Sequence, residues 1–176
     1  LPNYSKNFHI IENLSSDIKF LDNLIENGLK NLSVTGTCFE YGMREGKLSE
    51  DMKTHTINEY SKAKNSLRRH LENKCKMLKT KLIWLRPFYV YGIDLRKSSL
   101  ITQLEKAVKL KKPEFNMTEG NQIRDFIDVL ETAKLISKIC LDDNSKGIYN
   151  VCSGNPISVF DFVKMYLKNN NYEIKL

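Results

Sequence analysis

With 176 residues, 41% of them hydrophobic, and only 4 Pro and 8 Gly, the chain has the make-up of one compact α/β or helix-rich domain, not of a disordered or fibrous protein. Its 28 Lys and Arg exceed its 21 Asp and Glu, a formal charge of +7, which favours anionic partners without naming one. No apolar run approaches the ~20 residues of a membrane helix, and Cys38, Cys75, Cys140 and Cys152 are scattered without a C-x-x-C, so no membrane partner, disulfide framework or metal site is expected. The cysteines read as reduced thiols and the location as cytoplasmic. Residue 1 is Leu, so the chain is expected to begin inside a longer product or after processing.

In chain order, residues 17–26 carry Ile18, Leu21, Leu24 and Ile25 at helical spacing, with Ser15 and Ser16 as candidate caps and Gly28 as the stop signal. Residues 31–36 read as a strand running into a loop. Thr37 then lies beyond a strand's carboxyl end, where open parallel sheets bind ligands, although a Thr after Gly is by itself a common turn residue. Tyr41-Gly42 turns the chain away, and a polar excursion covers residues 43–58.

A helix follows from Tyr60 to about Leu78, with Leu67, Leu71, Cys75 and Leu78 on its buried face. Tyr60 and Lys64, at i and i+4, are expected on that packed side at its N-terminal end. A neighbouring ammonium favours a phenolate, so the pair forms a proton donor and acceptor, although Tyr-x-x-x-Lys also arises by chance in a lysine-rich chain. Lys62, Arg68, Arg69, Lys74 and Lys76 fall mostly off the stripe and read as a solvated face.

Leu82 to Leu85 predicts a fully buried strand that stops at Arg86-Pro87. A loop through Tyr91-Gly92 leads to a helix from about Ser99 to Leu110, with Leu100, Leu104 and Val108 on one face. Ile123 to Ile127 alternates apolar and charged residues as a half-buried strand does, leaving Arg124 between two apolar neighbours; an arginine there equally suits a structural ion pair. Asp128 and Glu131 resemble a capping box opening a helix with Val129, Ala133, Ile136 and Cys140 inward. Residues 147–151 form a final strand, and Ser158 with Asp161 opens the last helix through Leu167. Strands alternating with helices predict an α/β fold with a parallel, helix-covered sheet.

Four stretches, Gly36-Thr37-Cys38-Phe39-Glu40-Tyr41-Gly42, Tyr60-Ser61-Lys62-Ala63-Lys64, Leu85-Arg86-Pro87-Phe88-Tyr89-Val90-Tyr91-Gly92 and Gln122-Ile123-Arg124-Asp125-Phe126-Ile127, resemble in order and spacing the extended short-chain dehydrogenase/reductases. The chain looks like the NAD-dependent epimerase/dehydratase family that remodels nucleotide sugars, and Asn150 to Gly154 with Ile157-Ser158 resembles that family's closing segment. The resemblance implies a partial Rossmann-like parallel sheet covered by helices, with a small C-terminal substrate-binding portion. Residues 1–92 would be the later half of the dinucleotide-binding sheet. Residues 93–176 would be mostly the substrate-binding portion, interleaved with the last sheet elements.

The same resemblance implies NAD or NADP as cofactor and a nucleotide-diphosphate sugar as substrate. It makes Tyr60 the general acid/base, with Lys64 holding the nicotinamide ribose and lowering the tyrosine pKa, and Thr37 hydrogen-bonded to the reacting sugar oxygen. Pro87 and Phe88 would flank the nicotinamide, Arg124 would contact phosphates, and Cys38 and Tyr89 fall at substrate-contacting positions. Two residues depart from the pattern. Cys38-Phe39 replaces the Asp-Glu of the sugar dehydratases, so dehydration is not expected, and Tyr89 stands where many members carry a substrate-touching Asn.

None of the eight glycines makes G-x-G-x-x-G, so by the resemblance the chain corresponds to the C-terminal part of such an enzyme, beginning after its fourth strand. The implied activity is keto-reduction or epimerisation; the alternative is a non-catalytic remnant acting as an interaction module. The 176 residues alone are expected not to catalyse, with the first strand left as an exposed edge. A homodimer through helices 17–26 and 62–78 is implied as well. No RNP-type aromatic motif, zinc spacing or helix-turn-helix signature accompanies the positive charge, so no nucleic acid partner is expected.

Overall fold

The computed structural model describes residue 4 and residues 6–92 and 99–176; the loop expected between Gly92 and Ser99 lies largely outside them. The chain divides into two compact units, one of Pro2–Pro87 with Lys134–Val151, the other mainly of Phe88–Ala133 with Cys152–Leu176.

The first unit is a three-stranded parallel sheet in the order β1 (Asn31–Thr35), β2 (Lys81–Pro87), β6 (Gly147–Val151). Val34 pairs with Trp84, and Trp84 with Ile148, across the two parallel ladders. Helix α1 (Ser15–Glu26) precedes β1, and α2 (Glu59–Leu78) is the crossover that parallel pairing of β1 and β2 requires. Ile25, Leu32, Leu67, Leu71, Cys75 and Trp84 form the buried cluster that joins helices to sheet. A segment with π-helical hydrogen bonding, His9–Leu14, runs straight into α1. Ser15 and Ser16, expected as caps, therefore lie inside the helix, whose N-cap is Leu14 with no side-chain bond. Gly28 does end it, at φ 93°, with its N–H on the Ile25 carbonyl.

The inward face of α2 carries Ser61, Ala63, Leu67, Leu71 and Cys75. Tyr60 and Lys64, expected on that face, flank it half-buried. Leu78 is off it altogether, 43% exposed, because Lys79 takes the left-handed conformation (φ 55°, ψ 35°) and turns the chain into β2. Two of the basic residues read as solvated are not. Arg68 is mostly buried beside Glu40 and Glu72, and Lys74 is paired with Glu26 and Asp22.

The second unit packs α3 (Leu100–Lys109) and α5 (Val159–Asn169) around Ile101, Leu104, Phe162, Val163 and Leu167. Ser99 caps α3 through the Thr102 N–H and Ser158 caps α5 through the Asp161 N–H. The buried residues of α3 are Ile101, Leu104 and Ala107, a face turned slightly from the one expected. The single strand expected at 123–127 is two strands. β4 (Ile123–Arg124) pairs antiparallel with β7 (Ile157–Ser158), and β5 (Phe126–Asp128) pairs parallel with β3 (Tyr89–Tyr91). The break is at Asp125, whose carboxylate accepts the N–H groups of Ser153 (2.7 Å) and Gly154 (2.8 Å), and Ile123 is left 57% exposed.

Helix α4 (Val129–Leu141) contributes residues to both units. Its one buried residue is Thr132, not the expected Ala133, which is exposed. Asp128 accepts the Leu130 N–H with its carboxylate and the Thr132 hydroxyl with its carbonyl, which sets the helix's rotation. Among the described residues no helix is long and apolar enough to cross a membrane.

Candidate active site

Beyond β1, the Gly36 N–H still bonds the Leu85 carbonyl at 2.6 Å, which keeps the chain on the sheet up to Thr37. Thr37 is buried and extended (φ −162°, ψ 148°) and caps the short 3-10 helix Cys38–Tyr41. Its hydroxyl oxygen accepts the Phe39 N–H at 3.3 Å, while its own N–H donates to Glu40 Oε1 at 3.0 Å, a reciprocal capping box. Gly42 follows at φ 75° and turns the chain away, as expected. Cys38 is buried in this turn.

Glu40 is 0% exposed, and Trp84 Nε1–H and Arg86 Nε–H both donate to its carboxylate at 3.0 Å. Arg86 is itself 1% exposed, with its guanidinium 4.5 Å over the Tyr41 ring. The Tyr41 hydroxyl donates to Asn150 Oδ1 at 2.7 Å. Burial pushes the Tyr41 phenol above its ordinary pKa, against the lowering effect of the Arg86 hydrogen bond and charge. A carboxylate without water remains ionised only with such donors and a counter-charge around it. Room for it comes from Gly36, where a Cβ would stand 2.2 Å from Glu40 Oε1 and 2.3 Å from Trp84 Nε1.

Tyr60 lies in the first turn of α2, behind the Asn58 cap, whose carboxamide oxygen accepts the Ser61 N–H at 2.8 Å. The Tyr60 N–H donates to the Tyr4 carbonyl at 2.9 Å, and the Tyr60 ring sits 5.2 Å from both the Tyr4 and the His9 rings. Tyr4 also meets Phe39 edge-on at 5.1 Å. One aromatic side chain thus links the turn that bears Thr37 to the start of α2. The Lys64 ammonium is 3.9 Å from Asp17 Oδ2, too far for a hydrogen bond. Pro87 is the last residue of β2, opposite Val151.

Phe88, Tyr89 and Arg124 belong to the other unit. There the Tyr89 N–H bonds the Asp125 carbonyl at 3.2 Å, and the Arg124 guanidinium lies 5.3 Å over the Tyr89 ring with Nη1 on the Ile123 carbonyl at 2.8 Å. Among the described residues Arg124 has no carboxylate within ion-pair distance, so the structural ion pair weighed for it is not made. The sequence reading passed over Glu40, Trp84, Arg86 and Tyr4. A signal for the first was present, a Gly-Thr-x-x-Glu run at a strand end.

The family model for the NAD dependent epimerase/dehydratase family matches residues 3–152. The chain belongs to that family. Among its curated relatives, the dTDP-6-deoxy-L-talose 4-dehydrogenase (NAD(+)) of Aggregatibacter actinomycetemcomitans is 31% identical over 166 residues, 94% of this chain and 61% of the relative. UDP-arabinose 4-epimerase 1 of Arabidopsis thaliana is 26% identical over 185 residues, covering 92% of this chain and 44% of the relative. The solved UDP-N-acetylglucosamine 4-epimerase of Methanobrevibacter ruminantium M1, in complex with UDP-N-acetylmuramic acid, superposes with a TM-score of 0.83 at 20% identity, covering 92% of this chain and 54% of that one. The epimerase/dehydratase chain described here therefore spans 44% to 61% of the length of these proteins.

Proposed function

We propose that the enzyme containing this chain is an NAD(P)-dependent oxidoreductase of nucleotide-diphosphate sugars, a keto-reductase or dehydrogenase acting at a ring hydroxyl. The observation that carries the reading is the Tyr60–Lys64 pair, half-buried at the start of α2 and linked through Tyr4 to the turn of Thr37. The 31% identity to a nucleotide-sugar 4-dehydrogenase supports the same choice; the 4-epimerase relatives keep epimerisation as the second reading. A dehydratase is disfavoured by Cys38 and Phe39, neither of which is the acid–base pair that water loss needs.

A nicotinamide dinucleotide supplies or accepts the hydride when bound. The residues present suit its ribose end, because the Lys64 donors are not consumed by Asp17. In this reading Tyr60 gives a proton to the carbonyl oxygen of the sugar, or takes it from the hydroxyl, and Lys64 favours the phenolate through its charge. Thr37 accepts the Phe39 N–H with its hydroxyl oxygen, which leaves its O–H to donate to the same sugar oxygen. Pro87 and Phe88 flank the nicotinamide, and Cys38 and Tyr89 line the sugar. Arg124 pairs with the diphosphate, for which a planar guanidinium is suited. The C-terminal unit is thereby the substrate-binding portion, and the 176 residues alone, without a Gly-rich phosphate turn, are inactive.

Tyr60→Phe in the full-length enzyme should lower turnover by ~10² to 10⁴ with cofactor affinity nearly intact, whereas Lys64→Met should weaken cofactor binding too. Wild-type turnover in Tyr60→Phe would overturn the assignment. The enzyme is further proposed to be a homodimer through α1 and α2, on which Phe20 and Met77 are exposed apolar side chains. Sedimentation as a monomer at micromolar concentration would reject that pairing.

A further inference from the structure

We propose that Glu40 is a positioning residue for the reaction, setting the Thr37 hydroxyl through the capping box and a buried link to β2. The inference rests on Thr37 acting at the sugar oxygen.

Thr37 is held twice by its own turn. Its backbone N–H is fixed on Glu40 Oε1, and its hydroxyl oxygen is fixed by the Phe39 N–H. The position of the hydroxyl oxygen therefore follows the orientation of the turn, and that orientation follows Glu40. Glu40 in turn is tied to β2, a strand paired on both sides, by Trp84 and Arg86. Gly36 leaves the carboxylate the space directly over the backbone that precedes Thr37.

A capping box needs none of this burial. Its acidic or amide partner works at a solvent-exposed helix start, and a well-packed apolar group commonly replaces a buried ion pair at no loss of stability. A fully buried, charged Glu40 between two strand donors is thus more than a cap requires. What it adds is direction, since each of its hydrogen bonds is angular whereas apolar packing is not. Displacement of a reacting contact by about 1 Å can cost on the order of 10²-fold in rate, so a rigid tie of this kind bears on turnover.

The test is a double-mutant cycle in the full-length enzyme, assayed on its nucleotide sugar. Glu40→Gln keeps the shape, but its NH₂ must face either the Thr37 and Trp84 N–H groups at the Oε1 position or the Arg86 Nε–H at the Oε2 position, so at least one bond is lost. Glu40→Gln should lower kcat about tenfold with KM within about twofold, and should have no further effect in a Thr37→Ala background, where the positioned group is gone. Independent, multiplying losses in a slow Thr37→Ala enzyme would overturn the role of Glu40 alone. A Thr37→Ala enzyme with wild-type turnover would overturn the assignment of Thr37 and this inference with it. Should Glu40→Gln fail to fold by circular dichroism, Trp84→Phe removes one donor and leaves the Glu40–Arg86 pair in place. Its expected loss of about threefold in kcat should likewise vanish in the Thr37→Ala background, and a loss that persists there would overturn the proposal.

Discussion

In the unit built on β1, β2 and β6, the most deeply buried large side chains include Trp84, Arg86, Tyr41 and Glu40, joined by directed hydrogen bonds. In the C-terminal unit the centre is Phe126 stacked flat on Phe162 at 3.8 Å, with Tyr91 edge-on to Phe162 at 4.9 Å. The first centre stands at the carboxyl ends of strands, beside Thr37, the residue proposed to meet the sugar oxygen. The second stands between α3 and α5, where holding the helices together is enough. Aromatic packing tolerates small rotations; a carboxylate serving three fixed donors does not.

Three measurements test this contrast. The largest expected effect is that of Glu40→Ala, which leaves the Arg86 guanidinium buried without its counter-charge and should cost about 3–5 kcal/mol in urea unfolding. A cost of a few tenths would mean that water or another group replaces the carboxylate, and the sheet unit's centre would not be ionic. Next, Phe162→Ala should cost about 3 kcal/mol by cavity formation, without altering the Trp84 environment if the two centres are independent. A shift in Trp84 emission in that variant would show the centres to be coupled.

The smallest effect concerns pH. Burial, then the 2.6 Å hydrogen bond to Glu105, raises the Tyr166 phenol well above its ordinary range. A raised pKa in the folded state means that the contribution is complete below the ordinary tyrosine value of ~10 and is lost as pH climbs through the higher folded value. Tyr166→Phe should therefore flatten part of the alkaline fall in stability. An unchanged alkaline limb would assign that fall to other groups, Tyr41 among them, whose phenol is also raised by burial.

Much of the sheet unit was legible because its signals are local. The run of β-branched and apolar residues at 31–35 and 82–85, the Gly28 stop and the Tyr60-to-Lys64 start of α2 each depend on neighbours a few residues away. The residues proposed to react carry local signals too, since Tyr60 and Lys64 are one helical turn apart and Thr37 follows a strand's end. Helix faces were read less well. Ala133 and Leu78 followed the apolar period but are exposed, because each helix's rotation is set by what its ends attach to, Asp128 in one case and Lys79 in the other.

Local signals in the sequence were enough for the five helices, for β1, β2 and β6 with their parallel sense, and for the family-bearing motifs, since periodicity, capping and turn chemistry act over a handful of residues; β3 and the antiparallel β4–β7 pair were not among them. Only tertiary structure decided which polar residues are buried. Glu40 and Arg86 are 46 positions apart and look like ordinary surface charges in a chain that is 28% charged. Both lose water because β1 and β2 lie side by side and α2 closes over them, and a carboxylate and a guanidinium so enclosed must find each other. The same enclosure turns Tyr4, remote in sequence from Phe39 and Tyr60, into the ring that joins them. Burial is a property of the packed whole, and no window of the sequence contains it.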